Sequence, residues 1–297
     1  MTIATNAIPS ASSSRLERSM QQLLGFWKMF RTDLPGVVGL AVILFLVLLA
    51  TAAPILAPFD PYLQSLGSAL QPPSWKHWAG TDELGRDILS RLLFGARTTL
   101  LIVISVSLLV APIGLCIGVC SGYFGGWVDK VLMRIVDIFL ALPSLVLALA
   151  FVAALGSGAE NAVLAMAFTA WPPIARLARA ETLSIRSSDF ISAARMYGAS
   201  PLRIIFRHIV PLCLPSIVVR VTLSMAGFIL TAAGLGFLGL GAQPPSAEWG
   251  TMISTGRKVM IDHWWVAAFP GMAILITSLS FNMVGDALRD AMDPRTH

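Results

Sequence analysis

From Gly36 to Ala57 the sequence carries no charged side chain, and Pro58 and Asp60 close the run. A helix needs about 20 largely apolar residues to cross a hydrocarbon core about 30 Å thick, at about 1.5 Å per residue. Lipid gives the backbone no hydrogen bonds, so only helices and closed barrels span it. This run is too long and too continuously apolar for a barrel strand. Five further stretches repeat the pattern. They are Thr98–Val128, which leaves the membrane near Gly122–Gly126; Arg134 to about Gly156, with Asp137 near its start; and a short one over about Gly158–Ala175, holding Pro172 and Pro173. Then come Pro211 to about Gly241, with Arg220 inside it, and His263–Gly285, led by Trp264 and Trp265. A tryptophan pair at a span end suits the interfacial aromatic belt. The expected fold is all-α: a polytopic membrane protein of six transmembrane helices with a cytoplasmic helix between the fourth and fifth. The composition agrees, at 56% hydrophobic and 12% charged, against about 25% charged in soluble domains.

Six spans put both termini on one side, and the positive-inside rule chooses which. With the N-terminus cytoplasmic, inside segments hold fourteen of the 21 lysines and arginines and outside loops hold six. Both termini are therefore expected in the cytoplasm. The first 33 residues are polar and serine-rich, with Arg15, Arg18, Lys28 and Arg31. They lack the apolar core of a signal peptide, so they read as a cytoplasmic tail before an uncleaved span. The net charge of +5 is small and unevenly placed, and nothing in it points to nucleic acid. Cys116, Cys120 and Cys213 lie in apolar surroundings and read as small buried hydrophobes. No second cysteine pair or nearby histidine completes a metal site.

Two outside segments are large. Asp60–Arg97 is proline-rich at first and ends in TDELGRDILSRLLFGAR, which reads as an amphipathic helix capped by Thr81. Ile88, Leu89, Leu92 and Leu93 would form its apolar stripe. The second segment, AQPPSAEWGTMISTGRKVMIDH, reads as a short lid-like element. In the second span Gly114, Gly118 and Gly122 make a small-residue face for close helix packing, within the subunit or across a dimer. Pro143, Pro172 and Pro173 are expected to kink their spans.

The cytoplasmic stretch FISAARMYGASPLRIIFRHIVP, Phe190–Pro211, encodes helix, turn, helix. Ser188 or Asp189 suits an N-cap, and Gly198 suits the left-handed residue that ends a helix. Ser200 caps again and Pro201 fits the first helical position, with the second helix stopping before Pro211. The first helix has about two turns, too short to stand alone in water, so it must dock on something. Phe190, Ala193, Ala194 and Tyr197 fall on one face. Two aromatics around two methyl-sized residues fit a narrow groove, and Arg195, Arg203 and Arg207 suit an acidic rim. Packing beneath its own bundle is the competing reading.

The segment SAARMYGASPLRIIFRHIVP resembles the EAA loop of ABC-importer membrane subunits: Ala193, Ala194, Gly198 and Pro211 match, and Ser192 stands where a glutamate is usual. Three other stretches resemble the dipeptide and oligopeptide permease family, and its shorter C-type subunit above all. These are Gly80–Arg97, Leu235–Ile253 (LGFLGLGAQPPSAEWGTMI) and Phe281–Arg295 (FNMVGDALRDAMDPR). The resemblance implies the type I ABC importer permease fold in a bacterial inner membrane. It divides the chain into a tail at 1–33, a first span with its external segment at 34–97, a core permease domain at 98–286 with a coupling loop at 180–210, and a tail at 287–297. It also implies the partners: a homologous B-type permease, two cytoplasmic ATPases that bind ATP and magnesium, an extracytoplasmic solute-binding protein, and the lipid bilayer. Phe190, Ala193, Ala194, Arg195, Tyr197 and Gly198 would then form the helix that couples to an ATPase. The cargo would be a dipeptide, an oligopeptide or a related small solute.

No cofactor is expected in the chain itself. None of its four lysines stands in a P-loop, and neither HExxH nor Gly-x-Ser-x-Gly occurs. An ATP-independent transporter or channel is the alternative, although such proteins usually carry more intramembrane charge or internal repeats. A membrane enzyme would need a nucleophile–base pair, and none is visible. Two charges lie at membrane depth, Asp137 and Arg220. Arg220 either lines the pathway, where it attracts a peptide carboxylate, or snorkels or is paired structurally, with Asp137 as one candidate partner; the snorkelling or structural role is the favoured reading.

Overall fold

A computed structural model describes residue 27 and residues 29–292. Arg15, Arg18, Lys28 and Arg295 lie outside the described residues. Within them the only β pairing is an isolated bridge between Thr81 and Asp87; the regular elements are all helices. Helix α1 is Leu34–Leu56, begun by Asp33, whose carboxylate accepts from Gly36 N. Helix α2, Ile88–Phe124, has 37 residues. Then follow α3 (Gly126–Leu140), α4 (Ser144–Leu155), α5 (Ala159–Ala170) and α6 (Pro172–Arg186). Helix α7 is Asp189–Met196. Helix α8 runs from Pro201 to Phe237, α9 is Trp249–Gly256 and α10 is Trp265–Met292.

Among the described residues, four helices are long and apolar enough to cross a membrane: α1, α2, α8 and α10. The third expected span is a broken pair, α3 and α4, bent by 91°. Pro143 sits at the break and takes the N-cap position of α4, where its missing N–H costs nothing. The fourth expected span is divided at Trp171 between α5, with 12 residues, and α6, which opens on Pro172 and carries Arg176, Arg179 and Arg186. The kinks expected at Pro143 and at Pro172 and Pro173 thus fall at breaks between helices; apolar length alone does not register the polar second half.

The expected amphipathic helix at Thr81 does not form separately. Residues 81–87 fold into a tight turn. The Asp82 carboxylate accepts from Leu84 N, Arg86 N and Arg86 Nε, the last at 2.7 Å. Gly85 supplies a φ of 73°. Asp87, not Thr81, caps α2 by accepting from Ser90 N, and α2 then runs without a break through residue 97. Thr81 Oγ1 donates to Ser68 O and accepts from Gln71 N, which ties the external loop together. The tryptophan pair also divides. Trp264 faces outward, whereas Trp265 is buried over Gly80 and donates to Thr81 O.

The three-glycine face of α2 packs within the chain, against α6. A Cβ on Gly114 would stand 2.7 Å from Ile174 Cβ, and one on Gly122 would stand 2.7 Å from Thr182 Cβ. No other helix pair packs as extensively as α2 with α6; α8 with α10 and α10 with α1 come next. Asp129 fastens α3 to this pair by accepting from Arg179 Nε and Nη2 of α6 at 2.5 and 2.7 Å, and from Ser121 Oγ of α2.

Candidate functional site

Helix α7 is held by one deep contact. Ile191 has no exposed surface and belongs to the main hydrophobic core. The alternation of helical faces turns the rest outward: Phe190 is half exposed, Ala193 is exposed, and Tyr197 is 92% exposed. Met196, Leu202 and Phe206 extend this apolar surface. Sequence reasoning missed those three and Ile191; of the face it chose, Phe190, Ala193 and Tyr197 are exposed, whereas Ala194 is half-buried. Arg195 lies with its guanidinium 5.5 Å from the centre of the Tyr123 ring at the end of α2. It is therefore partly engaged by its own subunit. Phe190 packs near the His208 ring at 6.3 Å.

The caps follow the local sequence with one change. Gly198 adopts φ 75° after α7, and Ser200 Oγ accepts from Arg203 N to start α8. Ser188 holds the N-cap position of α7, but its hydroxyl donates to Ile185 O at 2.6 Å. Ser192 Oγ donates to Ser188 O at 3.4 Å. The second helix does not stop before Pro211. It passes through a π-helical segment, Ile205–Ile209, and continues to Phe237. A proline in a regular helix lacks one donor and crowds the carbonyl four residues back. One wider turn just before Pro211 relieves that crowding, so α7 is followed, after Gly198, by a single long helix.

Farther along α8, a cavity of about 360 Å³ opens between α8, α5 and the α3–α4 break. Its walls include Phe139, Leu142, Met166, Pro173, Gly227 and Phe228, with four hydroxyl residues: Ser144, Thr169, Ser224 and Thr231. Charged groups stand one helical turn from the lining on three helices. Asp137 precedes Leu140 on α3, Arg176 follows Pro173 on α6, and Arg220 precedes Ser224 on α8. Asp137, the candidate partner for Arg220, is not paired with it. Asp137 instead accepts from Arg176 Nη2 at 2.7 Å. Arg220 is exposed and makes no ion pair among the described residues.

Beyond the cavity α8 meets α9, whose start is a buried carboxylate. Glu248 is 1% exposed. It accepts from Gly250 N and Thr251 N at 2.8 Å each, and from Thr251 Oγ1 at 3.1 Å. Burial pushes its carboxyl pKa up, and the three donors pull against that. Gly236 and Gly250 are the close-approach points. A Cβ at Gly236 would meet the Glu248 carboxylate, and one at Gly250 would meet the Ala233 backbone. Trp249 Nε1 donates to Leu92 O, and its ring covers Gly95. The second external segment is thus a clamp joining α8 to α2.

Comparison with known proteins matches residues 114–297 to the family described as "Binding-protein-dependent transport system inner membrane component". Residues 22–73 match the N-terminal TM domain of oligopeptide transport permease C. Among the relatives is the di/tripeptide transport system permease protein DppC of Pseudomonas aeruginosa (strain UCBPP-PA14). It is 44% identical over 276 residues, 91% of each chain. The dipeptide transport system permease protein DppC of Escherichia coli (strain K12) is 45% identical over 282 residues, 93% of this chain and 94% of its own. The probable D,D-dipeptide transport system permease protein DdpC of the same strain is 45% identical, over 87% of each. A solved inward-facing structure of the MetNI methionine ABC transporter superposes with a TM-score of 0.57 at 22% identity, covering 69% of this chain and 98% of that one. At that identity the likeness speaks for the fold, which is that of a type I ABC importer permease. By the extent of these matches, the chain belongs to the family of binding-protein-dependent transport system inner membrane components.

Proposed function

We propose that the chain is the C-type membrane subunit of an ATP-driven importer for dipeptides or short oligopeptides. It forms half of a pathway worked by alternating access. A homologous B-type permease supplies the other half, two cytoplasmic ATPases bind ATP and magnesium and do the hydrolysis, and an extracytoplasmic binding protein delivers cargo. The chain itself carries no cofactor and catalyses no reaction. It lies in a bacterial inner membrane with both termini cytoplasmic, and α7 is the coupling helix. One observation carries this reading: an eight-residue helix with outward Phe190, Ala193 and Tyr197 is pinned by Ile191 and joined through Gly198 to a 37-residue helix. The relatives' names, all peptide permeases among those above, support the cargo class.

The test is co-purification. Deleting Ala193–Gly198 should leave a membrane-inserted chain that still pairs with its permease partner but no longer retains ATPase subunits. The milder Ala193→Trp should weaken retention by blocking close approach of the helix. Full retention of ATPases by both variants would overturn the coupling assignment.

A further inference from the structure

The cavity on α8 has chemistry that selects one kind of solute and one direction for it. Arg220, Ser224, Gly227 and Thr231 fall at i, i+4, i+7 and i+11, a single face of that helix. Three of the four cavity hydroxyls are already committed as donors. Ser224 Oγ donates to Arg220 O at 2.8 Å, Thr231 Oγ1 to Gly227 O at 2.9 Å, and Thr169 Oγ1 to Met166 O at 3.2 Å. Each such hydroxyl therefore offers the cavity an oxygen lone pair, that is, an acceptor. Acceptors among apolar walls suit a solute that brings its own N–H groups. One turn toward α7 the situation reverses. Asp137 is neutralised by Arg176, and Arg220 is left as a cation without an ion-pair partner among the described residues. A charge at membrane depth faces protein or water rather than lipid, because insertion costs about 2.5–3.5 kcal/mol.

Dimensions narrow the solute further. Ser224 and Thr231 are separated by about 10 Å along the helix, and Arg220 and Thr231 by about 16 Å. An extended residue covers about 3.5 Å, so a chain on Arg220 and Ser224, about 6 Å apart, needs about two residues, and one that spans Ser224 to Thr231 needs about three. A cavity of about 360 Å³ is at the small end of ligand sites, which run from about 300 to 1,000 Å³. We infer that this cavity is a way station for a zwitterionic di- or tripeptide, with its N–H groups on the hydroxyl acceptors and its free carboxylate on Arg220, so that the carboxylate leads toward the α7 end. The inference rests on the import reading for its cargo class, but it places a charge-selective site on residues that the reading does not require.

Two experiments on the assembled complex with its companion subunits test it. The first needs no transport. In a background with Cys116, Cys120 and Cys213 replaced by Ala, Ser224→Cys is labelled with the anionic 2-sulfonatoethyl methanethiosulfonate and, separately, its cationic trimethylammonium counterpart. The anionic reagent should react faster, and Arg220→Gln should lower the anionic-to-cationic rate ratio at least about fivefold. Failure of the anionic reagent to label the Ser224→Cys protein, or a ratio that ignores Arg220→Gln, overturns the site. The second measures uptake of Ala-Ala per ATP hydrolysed in proteoliposomes with saturating binding protein. Arg220→Gln should lose at least about tenfold and Arg220→Lys should recover most of it, with ATP hydrolysis retained in both. A role in assembly would lower hydrolysis as well. Wild-type stoichiometry in Arg220→Gln overturns the carboxylate assignment alone. Absence of ATP-dependent uptake by the wild-type complex would instead overturn the import reading.

Discussion

Glu248 shows what a single residue does in this fold. Its carboxylate starts α9 by taking the first free N–H groups of that helix, and it does so where burial opposes charge. The pKa is raised in the fold, so the folded chain holds the proton more tightly than the unfolded one. That contribution to stability is complete below the ordinary carboxyl value near 4.5. It is lost as pH climbs from there through the raised value. Glu248→Gln exchanges one acceptor oxygen for an amide donor that faces the N–H of Gly250 or Thr251. It should cost about 1–3 kcal/mol at acid pH. The difference in melting temperature between wild type and variant in detergent should narrow as pH rises from 4.5 to 8; a gap that widens refutes the account. Nothing local announced this role. Glutamate is not a preferred N-cap, and its burial depends on Gly236, twelve positions earlier on another helix. The same limit explains Arg220. Two membrane-depth charges of opposite sign suggested each other, yet Arg176, three residues after Pro173, reaches Asp137 across the fold. By contrast Gly198 and Ser200–Pro201 were legible, because caps are decided by residues adjacent in sequence.

At the level of helices, the small-residue face of α2 was visible as a pattern, but its partner was not. The pattern says only that something approaches closely; the structure shows α6. A Cβ on Gly118 would stand 2.6 Å from Ala178 Cβ and 2.9 Å from Arg179 N, and would press on the Ala175 carbonyl. Gly118→Ala must therefore push α2 and α6 apart, at about 1–3 kcal/mol. Gly271→Ala is the contrast. Nothing lies within 4 Å of a Cβ there, so the change should be neutral or gain up to about 1 kcal/mol of helix propensity. Midpoints of SDS-induced unfolding of the solubilised chain measure both, and equal shifts would mean the contact contributes nothing. Element boundaries were hidden for the same physical reason in three places. Pro143 foretold a kink in its apolar run, but not that the run would break into two helices 91° apart. A helix passes Pro211 once a π turn precedes it. Asp87 and Thr81 both suit an N-cap, and only the Asp82–Arg86 turn decides between them.

At the scale of the whole molecule, between 22% and 44% of each span's most apolar window is buried within the chain. The remainder is left uncovered by the chain itself, as the proposed half of a pathway requires. The distance that matters is internal. Pro201 begins α8 and Ser224 lines the cavity, about 35 Å apart along one helix. If α7 is pushed by an ATPase, two helices lead from it to the cavity: α6, about 20 Å from Arg186 to Pro173, and α8, which continues the chain beyond Gly198 and whose least regular part is Ile205–Ile209. Stiffness there can be altered without touching the buried anchors, because Phe206 and Arg207 are exposed while Ile204, Ile205 and Ile209 are buried. Replacing Phe206 and Arg207 together by Gly removes both side chains and costs about 1 kcal/mol of helix propensity at each position relative to Ala. Replacing both by Ala removes the same side chains and keeps the helix. In the reconstituted complex the Gly pair should retain ATPase subunits and hydrolyse ATP within about twofold of the Ala pair. Its peptide uptake per ATP should fall severalfold below that of the Ala pair, because a hinge in α8 absorbs the displacement before it reaches the cavity. Equal uptake per ATP in the two pairs would mean that force reaches the pathway by another route, and α6, which also ends beside α7, would take the place of α8 in the mechanism.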